Sequence, residues 1–248
     1  MHYFKQLSYT DRGHLFKFLK NKSFEIYKND LDSNSREFAF PYLENKNLEA
    51  FKLIEEYNHR CNAFKYLNEK SLEAFELIPS EERSNAFQYL DKKSLEAFKL
   101  IPIKERHYAF QYLDKKNVEA FKLLPLKLLV KTFILLDKRD IKAFEIVPEF
   151  DRWIVFQYLE KKDIESFKLV TESERWFVFR YLDKKTKEAV EIVPEFYRKF
   201  LFFNISSQEA VKIFKEEGIK HKNYLDIFLN LPRKTFEAYE ILPEKNKA

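Results

Sequence analysis

Short groups of apolar residues recur along this chain at a fixed interval, each bounded by residues that start or stop a helix. In the segment AFQYLDKKSLEAFKLIP, which begins at Ala86, one group is Ala86, Phe87 and Leu90, and the next is Leu95, Ala97, Phe98, Leu100 and Ile101. Helical spacing places Ala86, Phe87 and Leu90 on one face, with Tyr89 flanking it. In the second group only Glu96 and Lys99 leave a polar strip, so this helix is expected to be the more buried of the two. The segment recurs from Ala109 as AFQYLDKKNVEAFKLLP, 23 residues later. The small residue of the second helix is Ala50, Ala74, Ala97, Ala120, Ala143, Ser166, Ala189, Ala210 and Ala238, at intervals of 24, 23, 23, 23, 23, 23, 21 and 28 residues. A degenerate first copy, LFKFLKNKSFEIY, carries Ile26 in that slot, which makes about ten copies of a two-helix unit.

The punctuation agrees with the period. Immediately before the second helix stands Ser23, Asn47, Ser71, Ser94, Asn117, Asp140, Asp163, Thr186, Ser207 or Thr235, each with a side-chain oxygen able to cap a helix N-terminus. That helix commonly ends at a proline, as at Pro79, Pro102, Pro125, Pro148, Pro194 and Pro243. It is therefore expected to be about seven residues long. The first helix is expected to run from two residues past the proline to the Tyr-Leu pair, for example Glu81 to Leu90. Helices this short are marginal alone in water, so each copy must pack on its neighbours.

The expected fold is all-α. The AF-x-YL-D-K-K-S-x-EAF array resembles the α-solenoid class, in particular HEAT-like arrays, and its short period is similar to that of leucine-rich repeat variant proteins. The resemblance covers nearly the whole chain. It implies a single α-solenoid domain over 1–248 of about ten two-helix repeats stacked into a curved superhelix. Residues 1–38 would be an N-terminal capping repeat, 39–198 the regular 23–24-residue repeats and 199–248 irregular C-terminal repeats. It also implies binding through an extended surface.

Composition narrows the chemistry. With only Gly13 and Gly218, glycine-dependent turns and phosphate-cradling loops are nearly excluded. Phenylalanine (27) and tyrosine (14) point to a core packed with aromatic rings. The net charge of +5 comes from 45 basic and 40 acidic side chains, a mixture that does not call for nucleic acid. One cysteine, Cys61, cannot form an internal disulfide, and the opening MHYFKQLSYTDRG lacks a secretory pattern, so an intracellular and cytoplasmic protein is expected. No apolar run approaches the roughly 20 residues that span a bilayer, so no membrane partner is expected.

No cofactor or metal is expected either, and the chain does not read as an enzyme. His2, His14, His59, His107 and His221 show no ligand spacing. His59 and Cys61 have the residue types of a base and a nucleophile, but both fall on one short helix and point to different sides. Carboxylate pairs such as Glu81 and Glu82 fit solvated helix N-termini better than general acid–base chemistry.

Three features follow the repeat, the first two as ladders and the third as positions at which the copies differ. Arg36, Arg60, Arg83, Arg106, Arg152, Arg175 and Arg198, interrupted by Leu129, lie on the buried side of the first helix, suited to reaching helix-end carbonyls or a ligand. The turns carry basic pairs, Lys92 and Lys93, Lys115 and Lys116, Lys138 and Arg139, Lys161 and Lys162, and Lys184 and Lys185. They are candidates for a polyanion, although an acid precedes each pair. At two positions off the core face, Ser84 and Asn85 give way to His107 and Tyr108, Val130 and Lys131, Trp153 and Ile154, then Trp176 and Phe177. Trp153, Ile154, Trp176, Phe177 and Tyr108 are the candidate partner-binding residues, forming either a thicker core or an exposed aromatic patch. The expected function is a non-catalytic binding or scaffold protein that recognises a protein or peptide. The alternatives are a nucleic-acid-binding solenoid using the turn lysines and a purely structural repeat protein.

Overall fold

The capping residues do set the helix starts. The computed structural model describes residues 6–55, 57–198, 200, 201 and a few isolated positions beyond, and the elements among the described residues are all helical. The irregular copies expected over 199–248, with Ser207, Thr235, Ala238 and Pro243, lie almost wholly outside the described residues. The chain folds as two units, Met1–Pro125 and Leu126–Ala248.

In the N-terminal unit the capped helices include Leu48–Lys52, Leu72–Glu76, Leu95–Lys99 and Val118–Phe121. In the C-terminal unit they include Ile141–Ile146, Ile164–Lys168 and Lys187–Glu191. Each preceding Ser, Asn, Asp or Thr accepts the backbone N–H three residues on, as Asn47 does from Ala50 at 2.9 Å and Asp163 from Ser166 at 2.9 Å. Ser23 departs from the expectation: its extended backbone precedes Phe24–Asp30, but its side chain makes no capping bond.

The longer helix expected over Glu81 to Leu90 is three pieces. A 3-10 turn, Ser80–Glu82, leads into the α-helical Arg83–Ala86, and a second 3-10 turn, Phe87–Tyr89, follows. The tightened last turn lets Leu90 N–H bond Phe87 O at 3.2 Å while Leu90 leaves in an extended conformation (φ −51°, ψ 141°). The helix thus stops without a glycine.

The expectation that the capped helix is the inner one is corrected. Both helices bury an Ala-Phe pair completely, Ala86 and Phe87 on one and Ala97 and Phe98 on the other, whereas Leu95 and Leu100 are only half-buried. A helix of four or five residues has one inward turn to offer, so the two kinds share the core. In the N-terminal unit the rings run Phe16, Tyr27, Phe40, Phe51, Phe64, Phe75, Phe87, Phe98, Phe110 and Phe121. Successive centroids lie 6.0–6.3 Å apart, tilted or edge to face. In the C-terminal unit Phe133, Phe144, Phe156, Phe167 and Phe179 repeat the pattern at 6.0–6.5 Å. Each buried ring contributes roughly 1.5–3 kcal/mol by burial, and about 0.5–1.5 kcal/mol more comes from each favourable ring pair. Close packing also explains Gly13: a Cβ there would collide with Phe38 Cβ and lie 2.7 Å from Ser35 O, so only glycine lets Tyr9–Leu15 approach Ser33–Ala39.

The arginines tie the carbonyl ends of these helices together. Arg83 donates from Nε to Ile78 O, from Nη1 to Leu100 O and from Nη2 to Glu76 O, each at 3.0 Å. One guanidinium therefore holds the C-terminal ends of the capped helices before and after it. Arg106 in the N-terminal unit and Arg152 and Arg175 in the C-terminal unit make the same three bonds, at 3.0–3.1 Å. At the interrupted position, Leu129 is buried.

Tyr27 is the one tyrosine in the ring series of the N-terminal unit, and its hydroxyl is buried without a hydrogen-bond partner. Burial pushes its phenol above the ordinary tyrosine range. Tyr27→Phe is expected to stabilise the unit by about 1 kcal/mol, read as a higher denaturation midpoint at neutral pH. Burial favours the neutral phenol, so the stability of the native chain holds its full value below about pH 10 and falls as pH rises further. The alkaline loss should be smaller in Tyr27→Phe; an unchanged or lower midpoint at neutral pH contradicts the assignment.

Candidate functional site

The two positions after each arginine are where the copies differ, and the two units use them differently. In the C-terminal unit Trp153, Ile154, Trp176 and Phe177 are half-buried. Phe177 meets Trp153 edge-on at 5.3 Å and Trp176 edge-on at 5.6 Å. Trp176 stacks on Tyr197 at 6.3 Å with ring planes 8° apart and lies 5.5 Å from Phe200. The Arg180 guanidinium covers Phe177 at 4.8 Å. The result is one ordered aromatic cluster on the side of the helices away from the Phe series, part core and part surface.

In the N-terminal unit Ser84 stands where Trp153 stands in the C-terminal unit, and a groove of about 470 Å3 lies beside it. Glu81, Ser84, Asn85 and Gln88 line it from one copy, and Glu105, Tyr108, Gln111 and Tyr112 from the next. Tyr108 is 61% exposed, with the His107 ring 3.8 Å away. The Glu81 carboxyl is held below its usual range by its own backbone N–H and the Ser80 hydroxyl. Tyr108 therefore belongs to a site separate from the tryptophan cluster.

A further aromatic stripe escaped the sequence reading. The residue before the leucine that follows the first helix is surface-exposed in most copies: Phe18, Tyr42, Tyr66, Tyr89 and Tyr112 in the N-terminal unit, Leu135 and Tyr158 in the C-terminal unit, whereas Tyr181 is half-buried. The five exposed tyrosines are 37–43% exposed. The signal was present, since FxYL keeps its tyrosine although the buried face needs only Phe and Leu.

The basic pairs split into two kinds. The first member of each, Lys92, Lys115, Lys138, Lys161 and Lys184, is exposed. The second turns inward. Lys93, Lys116, Lys162 and Lys185 donate Nζ to the carbonyls of Leu90, Leu113, Leu159 and Leu182 at 2.6–3.3 Å, and Arg139 donates to Ile134 O at 3.3 Å. Backbone N–H groups of three of them also reach the acid of the following copy: Lys93 to Asp114 at 2.8 Å, Arg139 to Glu160 at 3.0 Å and Lys162 to Asp183 at 2.8 Å. Lys138 and Lys161 pair with Asp140 at 3.5 Å and Asp163 at 2.8 Å. Lys92 shares a recess of about 340 Å3 with Glu69, Asp91 and Glu96, which lowers the local positive field.

Cys61 and His59 go to different neighbours. His59 Nδ1 lies 3.0 Å from Glu37 Oε2, whereas the Cys61 thiol points at Glu82 O at 3.8 Å. Among the described residues no three His, Cys, Asp or Glu side chains are placed to share a metal ion. No described helix is long and apolar enough to cross a membrane. Comparison of the chain with models of protein families, with curated proteins and with solved structures finds no match, so function has to be read from these side chains.

Burial, with the Glu82 carboxylate beside it, pushes the Cys61 thiol up to about 11. Its thiolate fraction near neutral pH should be roughly a hundredfold or more below that of an ordinary cysteine. Alkylation of the folded chain by iodoacetamide, followed by mass spectrometry, should be slower by that order; a rate equal to that of free cysteine contradicts it.

Proposed function

We propose that this chain is a non-catalytic binding protein, built as an α-solenoid of about ten two-helix repeats, that recognises a protein or peptide partner along its helix surface. The observation carrying this reading is the aromatic stripe from Phe18 to Tyr112, whose rings are surface-exposed although the phenylalanine two residues before each is fully buried. Exposed rings on a rigid support bury large contact areas with little loss of side-chain entropy, a property of binding surfaces. Tyr108 beside its groove and the cluster of Trp153, Ile154, Trp176 and Phe177 add side chains of the same kind.

A nucleic-acid reading draws on Lys92, Lys115 and Lys184, which are exposed and make no ion pair among the described residues. It is the weaker reading, because the second member of each basic pair is spent on backbone carbonyls and acids surround the first.

The two separate by experiment. Serine at Tyr42, Tyr66 and Tyr89 should leave the helical circular dichroism intact and weaken capture of the protein's partner on the order of tenfold or more, with capture insensitive to nuclease. Capture that disappears with nuclease contradicts the proposal. So does binding of a labelled oligothymidylate with a log–log salt slope near about −2, the value for three lysine contacts.

A further inference from the structure

The groove of the N-terminal unit exists because of one small residue. Ser84 and Tyr108 occupy the slots that Trp153 and Phe177 occupy in the C-terminal unit, where the two rings close on each other at 5.3 Å. With serine in the first slot, the space between neighbouring copies stays open.

Several polar groups around that space are free to accept a hydrogen bond. Gln88 Nε2 donates to Asn85 O at 3.1 Å, and Gln111 Nε2 to Tyr108 O at 3.2 Å. A backbone carbonyl only accepts, so these bonds fix which amide atom is nitrogen; each amide keeps its Oε1 acceptor and one further N–H. Asn85 Nδ2 likewise faces a Glu82 carboxylate oxygen at 3.4 Å. Glu105 Oε2 is buried with no hydrogen-bond partner, and its other carboxylate oxygen is 4.0 Å from the exposed Lys104 ammonium. Ser84 is only 8% exposed, lines the groove, and its hydroxyl makes no hydrogen bond among the described residues. No basic side chain lines the groove, while Glu81 and Glu105 both do.

The rings point the same way. Where a lysine or arginine precedes such a ring, it covers it: Lys17 lies over Phe18 at 4.6 Å, Lys65 over Tyr66 at 5.0 Å and Arg180 over Tyr181 at 4.7 Å. The residue before Tyr112 is Gln111, and no cation covers Tyr112 among the described residues. The groove thus offers carboxylates, amide oxygens and an uncovered phenol face, and supplies no donor cation of its own.

The geometry points to this groove as the seat of an arginine side chain on a peptide partner, with Glu105 and Glu81 holding the guanidinium and Tyr108 and Tyr112 flanking it. The assignment rests on the peptide-binding reading above and names the partner's chemistry. Arginine suits it better than lysine, because a planar fork of five donors matches several acceptors at once and stacks on a phenol ring.

The test is selection of a random peptide-display library on the full chain, with the selected peptides resynthesised so that citrulline replaces arginine. Selected peptides should carry arginine, and citrulline should weaken them on the order of tenfold or more. Ser84→Trp plugs the groove with the residue the C-terminal unit already carries in that slot, and should lose the arginine peptides to the same degree with an unchanged circular dichroism spectrum. Glu105→Gln keeps the shape and removes the charge, and should weaken the arginine peptides more than their citrulline forms; if Ser84→Trp fails to fold, this variant decides alone. Selected peptides without arginine, or arginine peptides that bind these variants as tightly as the native chain, overturn the assignment and leave peptide binding intact. A library from which the chain selects nothing overturns both.

Discussion

Helices of four or five residues cannot satisfy their own backbone, and the architecture of this protein is an answer to that constraint. The first N–H groups and last carbonyls of any helix lack intrahelical partners, so in elements this short nearly every peptide group is a helix end. The chain supplies donors and acceptors from its side chains at fixed places. A Ser, Asn, Asp or Thr takes the N-terminal N–H, a lysine in the turn takes the leucine carbonyl, and an arginine takes carbonyls from two successive capped helices. Because the arginine bonds reach both backward and forward along the chain, no copy is complete without the one after it. The phenylalanine series does the same with apolar surface, each ring packing on the rings before and after it.

That division of labour decides which residues are left for function. The Ala, Phe, Leu and Arg positions are committed to the interior or to carbonyls and can vary little. The two positions after each arginine face away from the ring series, and there the copies diverge. Trp153 and Phe177 fill the space between copies, whereas Ser84 and Tyr108 leave it open. The space between neighbouring copies can thus be filled or left open by one substitution on a repeating framework.

Much of this was legible in the sequence because it depends on local chemistry. The capping residues act within three positions of their own helix, the arginines recur at a fixed place in the copy, and their spacing announces both. Ser23 reads as a cap by residue type, but nothing in its identity reveals that the bond is not made. The breaking of the longer helix into 3-10 and α pieces was hidden, because hydrophobic spacing does not separate three from 3.6 residues per turn over so short a run. The lysine pairs misled for another reason: in a list of residues both members look solvated, and only the fold shows the second Nζ turned onto the preceding leucine carbonyl. The groove could not be read at all, since it is defined by side chains from two copies and by amide nitrogens whose partners are backbone atoms.

The claim that each guanidinium joins the capped helix behind it to the one ahead is tested most directly by native-state hydrogen exchange on Arg83→Lys, which keeps the charge but cannot reach three carbonyls. Protection should fall together at 72–78 and 95–101, on both sides of the substitution, while 163–170 in the other unit keeps its native exchange. Loss confined to 83–86, or no loss at all, would show that the helices hold one another without the arginine.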